Sequence, residues 1–231
     1  MVSPRARPAG TIIKVRALLP LLFAAALGVS GLAARAGQGD TPTAAELASR
    51  LQKRYESIHD FTADFTQTYR GILQRKTATE RGKVLVKKPS RVRFTYEAPE
   101  KKVFNSDGTT FRSYYQEDRA GSEYPLPKEN EASTALLFLA GRGNLARDFS
   151  PGLADGAPPT EWHLGLVPST KQSDFDTLTL FVDRRSLSLL GFQTTDAQGT
   201  NMIRFTNLKE NTGIPDSAFV FHFPPGTAIS R

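Results

Sequence analysis

The sequence predicts a mainly β protein with helices, of the α+β class. Its form is an incomplete, open antiparallel β-barrel of about ten strands with two helices on the concave side. Three observations predict it. One early segment repeats its apolar residues at helical spacing, whereas nearly every later segment alternates with a period of two. Short turns separate those later segments, and short turns join antiparallel neighbours. A sheet of that many strands has to curl or split, and two helices are too few to cover both of its faces.

Residues 1–36 read as a signal peptide rather than as part of the fold. Arg5, Arg7, Lys14 and Arg16 form a basic start, an apolar run follows, and Ala34-Arg35-Ala36 fits a small-x-small cleavage site before Gly37. Pro20, Gly28 and Gly31 argue against a membrane-spanning helix. The segment holds five basic residues and no acid, so the net charge of +7 falls to +2 without it. The remaining charge is uneven: residues 37–120 carry a net +5 and residues 121–231 a net −3. The product expected is exported to a bacterial periplasm. Its 195 residues form a flexible tail over 37–42 and a single domain over 43–231.

Thr43-Ala44-Ala45-Glu46 is a capping box. Leu47, Leu51, Tyr55 and Ile58 then recur on one face, which predicts a helix from about Ala44 to Ser57. Phe61, Ala63, Phe65, Gln67 and Tyr69 alternate with polar residues and predict a half-buried strand with an aromatic face. Residues 71–79 read as loop. A strand around Lys83–Lys87 ends at Pro89, and Arg91–Ala98 is another, with Val92, Phe94 and Tyr96 on one face and Arg91, Arg93, Thr95 and Glu97 on the other. Asp107-Gly108 between two strand-like runs predicts a hairpin with a type I′ turn. Residues 131–140, EASTALLFLA, predict a short helix, and 150–160 a loop. Strands follow at Trp162–Leu166, Leu178–Val182, Leu187–Thr195, Asn201–Lys209 and Phe219–Phe223.

Several function classes are poorly supported. There is no cysteine, hence no disulfide framework, thiolate metal site or thiol nucleophile. His59, His163 and His222 show no metal-ligand spacing, and His222 is expected on the solvent side of its strand. Asp174 and Asp176 read as a solvated loop rather than an acid–base pair. No catalytic, cofactor or metal site is expected. The basic residues from Lys83 to Lys102 are interleaved with aromatics, as in single-strand binders. On a strand, however, the arginines and the aromatics lie on opposite faces, so nucleic acid is not the expected partner. The apolar face, with Phe61, Phe65, Val92, Phe94 and Tyr96, lines either a packed core or a cavity. Arg91 and Arg93 on the other face are candidates for docking an acidic partner.

The ordered runs Phe61–Gln67 (FTADFTQ), Gly82–Pro99 (GKVLVKKPSRVRFTYEAP), Ser106–Thr110 (SDGTT) and Phe219–Gly226 (FVFHFPPG) carry a resemblance to the LolA family of periplasmic lipoprotein carriers. The resemblance spans most of the chain after residue 36, and Tyr115–Thr170 matches poorly. It implies an incomplete barrel with a helical lid. It implies no enzymatic activity and a monomer whose hydrophobic cavity takes acyl chains of lipoproteins released by an inner-membrane ABC transporter, for an outer-membrane receptor such as LolB. Val92 and Phe94 fall on its wall positions, and Leu136, Leu137 and Phe138 on the lid helix. Lys88 stands where the family has an arginine that latches the lid through backbone carbonyls. Lysine keeps the charge but lacks the planar fork. A carrier or sensor of another amphiphile, a glycolipid or phospholipid, is the alternative on the same fold.

Overall fold

A computed structural model describes residues 41–72, 77–126, 143–170 and 175–231. Helix α1 covers Ala44–Glu56, and its capping box forms as expected. The Glu46 amide donates to the Thr43 hydroxyl at 3.2 Å, and the Thr43 amide donates to the Glu46 carboxylate at 2.9 Å. Twelve strands follow among the described residues, two more than the number expected. They are β1 (Asp60–Gly71), β2 (Thr77–Lys87), β3 (Arg91–Ala98), β4 (Lys102–Asp107), β5 (Thr110–Tyr115) and β6 (Ala120–Pro125). After a four-residue helix α2 (Leu145–Asp148) come β7 (Phe149–Leu153), β8 (Glu161–Pro168), β9 (Thr177–Asp183), β10 (Leu189–Thr195), β11 (Gly199–Glu210) and β12 (Ala228–Ser230).

All twelve strands lie in one sheet, in the order β12-β6-β5-β4-β3-β2-β1-β11-β10-β9-β8-β7. The two edge strands do not meet, so the barrel is open. Every pairing is antiparallel except β12 with β6. Register shifts at Thr62/Asp64, Arg81/Gly82 and Leu189/Gly191 break the ladders, and such bulges bend and twist a sheet. Where β2 crosses β3, a Cβ on Gly82 would lie 2.0 Å from the Thr95 carbonyl oxygen and 2.9 Å from the Phe65 ring, so only glycine lets that ring lie down.

Helix α1 packs against β7, β8 and α2. The face it covers is the inner face. Leu47 and Leu51 of α1 join Leu145, Leu164, Leu166, Leu178, Leu180, Val182, Val84 and Val86 among the most deeply buried side chains.

Four sequence expectations are corrected. Residues 77–79 belong to β2 and 150–153 to β7 rather than to loops. Strand β7 carries Pro151 because it is an edge strand, where a missing N–H costs no ladder bond. In the β4–β5 turn only Gly108 has positive φ, +101°, and it is the first central residue, as a type II′ turn requires. Asp107 instead accepts from the Thr109 and Thr110 amides and pairs with Arg112. Finally, Phe219–Phe223 is not a strand. A 3-10 helix covers Asp216–Phe219, Val220 after it is extended, and the chain then continues without regular structure to the turn before β12. The topology explains this: β11 is central and β12 lies at the edge, so residues 211–227 have to cross the sheet, and the contacts of Arg93 and Asn105 with Ala218 and Phe219 put the crossing on the outer face.

Candidate functional site

The inner face changes character along the strand order. Beside α1 it is aliphatic. On β1 and on β3 to β6 it is aromatic, because the period-two alternation of each of those strands sends a ring to the same side, whereas β2, between them, has no aromatic residue and places Gly82 opposite Phe65. Phe65 meets Phe94 and Tyr96 edge-on at 5.3 and 4.9 Å between centroids. Tyr96 meets Phe104 at 5.5 Å. Phe104 continues to Phe111 at 6.4 Å and to Tyr115 at 5.9 Å, and Phe111 stacks on Tyr124 at 5.2 Å. Exposure grows along this ladder. Phe65 is 2% exposed and Tyr96 7%; Phe94, Phe104 and Phe111 are half-buried; Tyr115 and Tyr124 are 37% and 44% exposed. A plain core would bury all these rings. Here the wall is dry at β1 and open to solvent at β6.

The five residues expected from the sequence, Phe61, Phe65, Val92, Phe94 and Tyr96, share this inner face; Phe61, Phe65, Val92 and Tyr96 belong to the core cluster, and Phe94 packs against it partly buried. Leu136, Leu137 and Phe138 lie outside the described residues. Phe104, Phe111, Tyr115 and Tyr124 join the wall without being among the residues expected from the sequence. The hairpin register could have supplied the first three: a turn at 107–110 places 104, 111 and 115 on the face of Phe94.

Lys88 donates its ammonium to the Tyr55 backbone carbonyl, beside the end of α1. It also lies 3.6 Å from the centroid of the Tyr55 ring. Burial pushes its pKa down to about 8, against the opposing pull of Glu56. The described contact of this residue is therefore with α1.

The outer face of β3 is less open than the alternation of arginines suggested. The crossing segment is a strap over it. Asp216 pairs with Lys87 at 2.6 Å and with Arg91 at 3.3 Å. Arg93 donates to the Ala218 carbonyl at 3.0 Å, and Asn105 to that of Phe219 at 2.9 Å. Phe219 is fully buried, whereas His222 is exposed as expected. Lys83, next to the strap, is 62% exposed in a loose pair with Glu97. A cavity of about 240 Å³ is lined by Phe221 and Tyr114 together with the wall residues Tyr96 and Lys102, and a more polar one of about 210 Å³ by Phe221, His222 and Phe223 of the strap with Asp107, Arg112 and Glu123.

The model of one family matches most of the chain. The outer membrane lipoprotein carrier protein LolA matches residues 56–222. This chain belongs to the LolA family. An outer-membrane lipoprotein carrier protein of Chromobacterium violaceum is 26% identical over 216 residues, 93% of this chain and 98% of that protein. One from Pseudomonas putida is 24% identical over 211 residues, 91% of this chain and 97% of that protein. The crystal structure of an uncharacterized conserved protein from Thermus thermophilus aligns with a TM-score of 0.52 at 12% identity, covering 80% of this chain and 98% of that one. That likeness concerns the fold. The family is one of binding and transport, and among the described residues no helix is long and apolar enough to cross a membrane.

Proposed function

We propose that this LolA-family chain is a periplasmic carrier. It takes up the acyl chains of lipoproteins released from the inner membrane and delivers them to the outer membrane. The graded aromatic wall from Phe65 to Tyr124 carries the reading. Each methylene moved into water costs about 0.8 kcal/mol, so a multiply acylated protein needs a shield to leave a membrane. A wall half-buried without cargo offers apolar area to gain on binding. A shallow, sequence-indifferent surface also lets the cargo go.

In this reading residues 1–36 direct export and are removed, and the monomeric domain works alone. Leu136, Leu137 and Phe138 cover the wall as a lid. Lys88, through α1, fixes the frame against which the lid moves. An inner-membrane ABC transporter loads the carrier, and a LolB-type receptor or the outer membrane itself receives the cargo. Arg91 and Arg93, with the more exposed Lys83, draw an acidic docking surface to the outer face, and the strap limits how much of the two arginines a partner reaches.

Native mass spectrometry of the protein purified from periplasm, beside a Phe94→Glu variant, tests this. Triacylated lipoprotein bound to the parent and absent from the variant is the expected result. A glycolipid or phospholipid in its place would assign the wall to another amphiphile. A parent that stays empty after incubation with lipoprotein-loaded membrane vesicles would return the ladder to a structural role.

A further inference from the structure

One part of the inner face is not apolar. Lys102 and Glu80 pair at 2.5 Å with side chains only 14% and 18% exposed. Register places both on the aromatic side: Lys102 lies opposite Tyr96, and Glu80 opposite Gln67, two residues beyond Phe65. The Lys102 ammonium sits 4.6 Å from the centroid of the Tyr96 ring. The Tyr96 hydroxyl donates to the Gln67 side-chain carbonyl at 2.5 Å, and the Gln67 amide donates to Asn201 at 2.9 Å. These five side chains form a polar belt across β11, β1, β2, β3 and β4, toward the ends of the strands away from Lys88 and the base of α1.

Stability does not explain the belt. Replacing a largely buried ion pair by apolar side chains of similar size is often neutral or favourable. On a wall meant for hydrocarbon, charges lower the apolar area available to cargo. The belt is, however, suited to one part of an acylated ligand. An ammonium has three donors, and an ammonium bound to one carboxylate and one ring keeps donor capacity for a further acceptor. The Glu80 carboxylate cancels the local charge, so an anionic phosphate entering here would meet a carboxylate at close range. A neutral carbonyl would not. Tyr96 belongs to both the belt and the ladder, so a group bound at Lys102 starts its hydrocarbon on the aromatic wall.

We infer that the Lys102–Glu80 belt is a binding site for the neutral ester carbonyls that join acyl chains to the glyceryl unit of a lipid anchor, setting where the chains begin on the wall. The inference rests on the carrier reading and names the chemistry recognised within that site.

The test uses the full mature chain and synthetic ligands. One ligand is a triacylated-cysteine peptide with glyceryl esters, and the other its analogue with the esters replaced by alkyl ethers of the same length. Affinities are measured for the parent and for the double variant Glu80→Gln/Lys102→Met, which removes both charges and so leaves neither unpaired. Urea denaturation establishes that the variant is folded, and Lys102→Arg, which keeps a donor, serves as the conservative control. The parent prefers the ester by about tenfold, the scale of a charge-assisted hydrogen bond. The double variant binds both peptides with the parent's affinity for the ether, and Lys102→Arg keeps part of the preference. Equal binding of both by the parent, or equal weakening of both in the double variant, overturns the inference and leaves the carrier reading standing. Phosphatidylglycerol bound more tightly than the ester peptide, and lost in the double variant, would make the belt an anion site instead. Binding of neither peptide by the parent overturns the carrier reading together with the inference.

Discussion

The ladder makes a separation of roles measurable. Phe65 and Phe104 are both aromatic, both on the inner face, and both packed edge-on against Tyr96, at 4.9 and 5.5 Å. They differ in burial. Phe65 is 2% exposed and belongs to the core, whereas Phe104 packs against that core only partly buried. Truncating a fully buried phenylalanine to alanine costs about 3–5 kcal/mol through lost transfer energy and the cavity left behind. Phe65→Ala should fall in that range. Phe104 is only partly buried, which lowers the expected cost of Phe104→Ala to about 2 kcal/mol. Acyl-chain affinity should rank the other way. A ring on the open wall covers on the order of three methylenes, each worth about 0.8 kcal/mol when fully buried. Losing about half of that cover weakens binding by about 1.2 kcal/mol, a factor of about eight. Phe65 has almost no surface left to offer a ligand, so its truncation should change affinity less than twofold once the variant is compared under folded conditions. Urea denaturation gives the stabilities, and titration with a fluorescent long-chain acyl probe gives the affinities. If Phe104→Ala destabilised as strongly as Phe65→Ala and left probe affinity unchanged, the ladder would be ordinary core and the wall argument would fail.

Three further outcomes follow from the same geometry. The lowered Lys88 pKa, about 8 against the ordinary ~10.4, means that the unfolded chain binds more protons between those values, so stability rises with pH through that window. The urea midpoint should therefore increase from about pH 7.5 to about pH 9.5 in the parent and lose this rise in Lys88→Met. Thr43→Ala removes the capping box of α1 and should cost about 1 kcal/mol by urea denaturation, with unchanged acyl-probe affinity per folded molecule. Arg93→Ala removes the hydrogen bond to Ala218 and the guanidinium 5.7 Å from the Phe221 ring, and should speed amide exchange in residues 216–223 while α1 keeps its protection.

How far the sequence carries the reading depends on whether the signal is local. The capping box and the faces of β1, β3, β8 and β9 are set by residues within one element, and each forms where the periodicity puts it. Strand β6 is short and polar, AGSEYP, and becomes a strand only because β5 and β12 flank it, which no window around it contains. Phe219, Phe221 and Phe223 alternate like a strand, yet the position of β12 forces that segment across the sheet, where its carbonyls find Arg93 and Asn105 instead of a ladder. The arginines of β3 looked free for the same reason: their partners, Asp216 for Arg91 and the Ala218 carbonyl for Arg93, are far along the chain. Among wall residues, Phe61 to Tyr96 were legible from alternation alone. Glu80 and Lys102 were not, because two opposite charges in separate strands become a pair only when the register brings them together.

The division of the inner face also bears on how one domain can be both stable and receptive. A fully packed interior resists ligands because every contact is already made. A wholly open one does not hold the fold. In this chain the most deeply buried aliphatic residues gather where α1 and α2 meet β7 and β8, and on the neighbouring β9, with Val84 and Val86 as their extension into β2. The half-buried rings lie on β3–β6, toward the opposite edge of the sheet. Folding is thus driven mainly from one side, and the other is left with apolar area still to bury. Antiparallel neighbours transmit rigidity between the two halves through main-chain hydrogen bonds, and the strap reinforces β3 and β4 from the outer face through Arg93 and Asn105. The wall can therefore stay open without collapsing. That property suits cargo whose exposed methylenes are numerous and whose identity beyond its anchor does not matter, because the surface presented is broad and its shape is held by backbone rather than by the cargo.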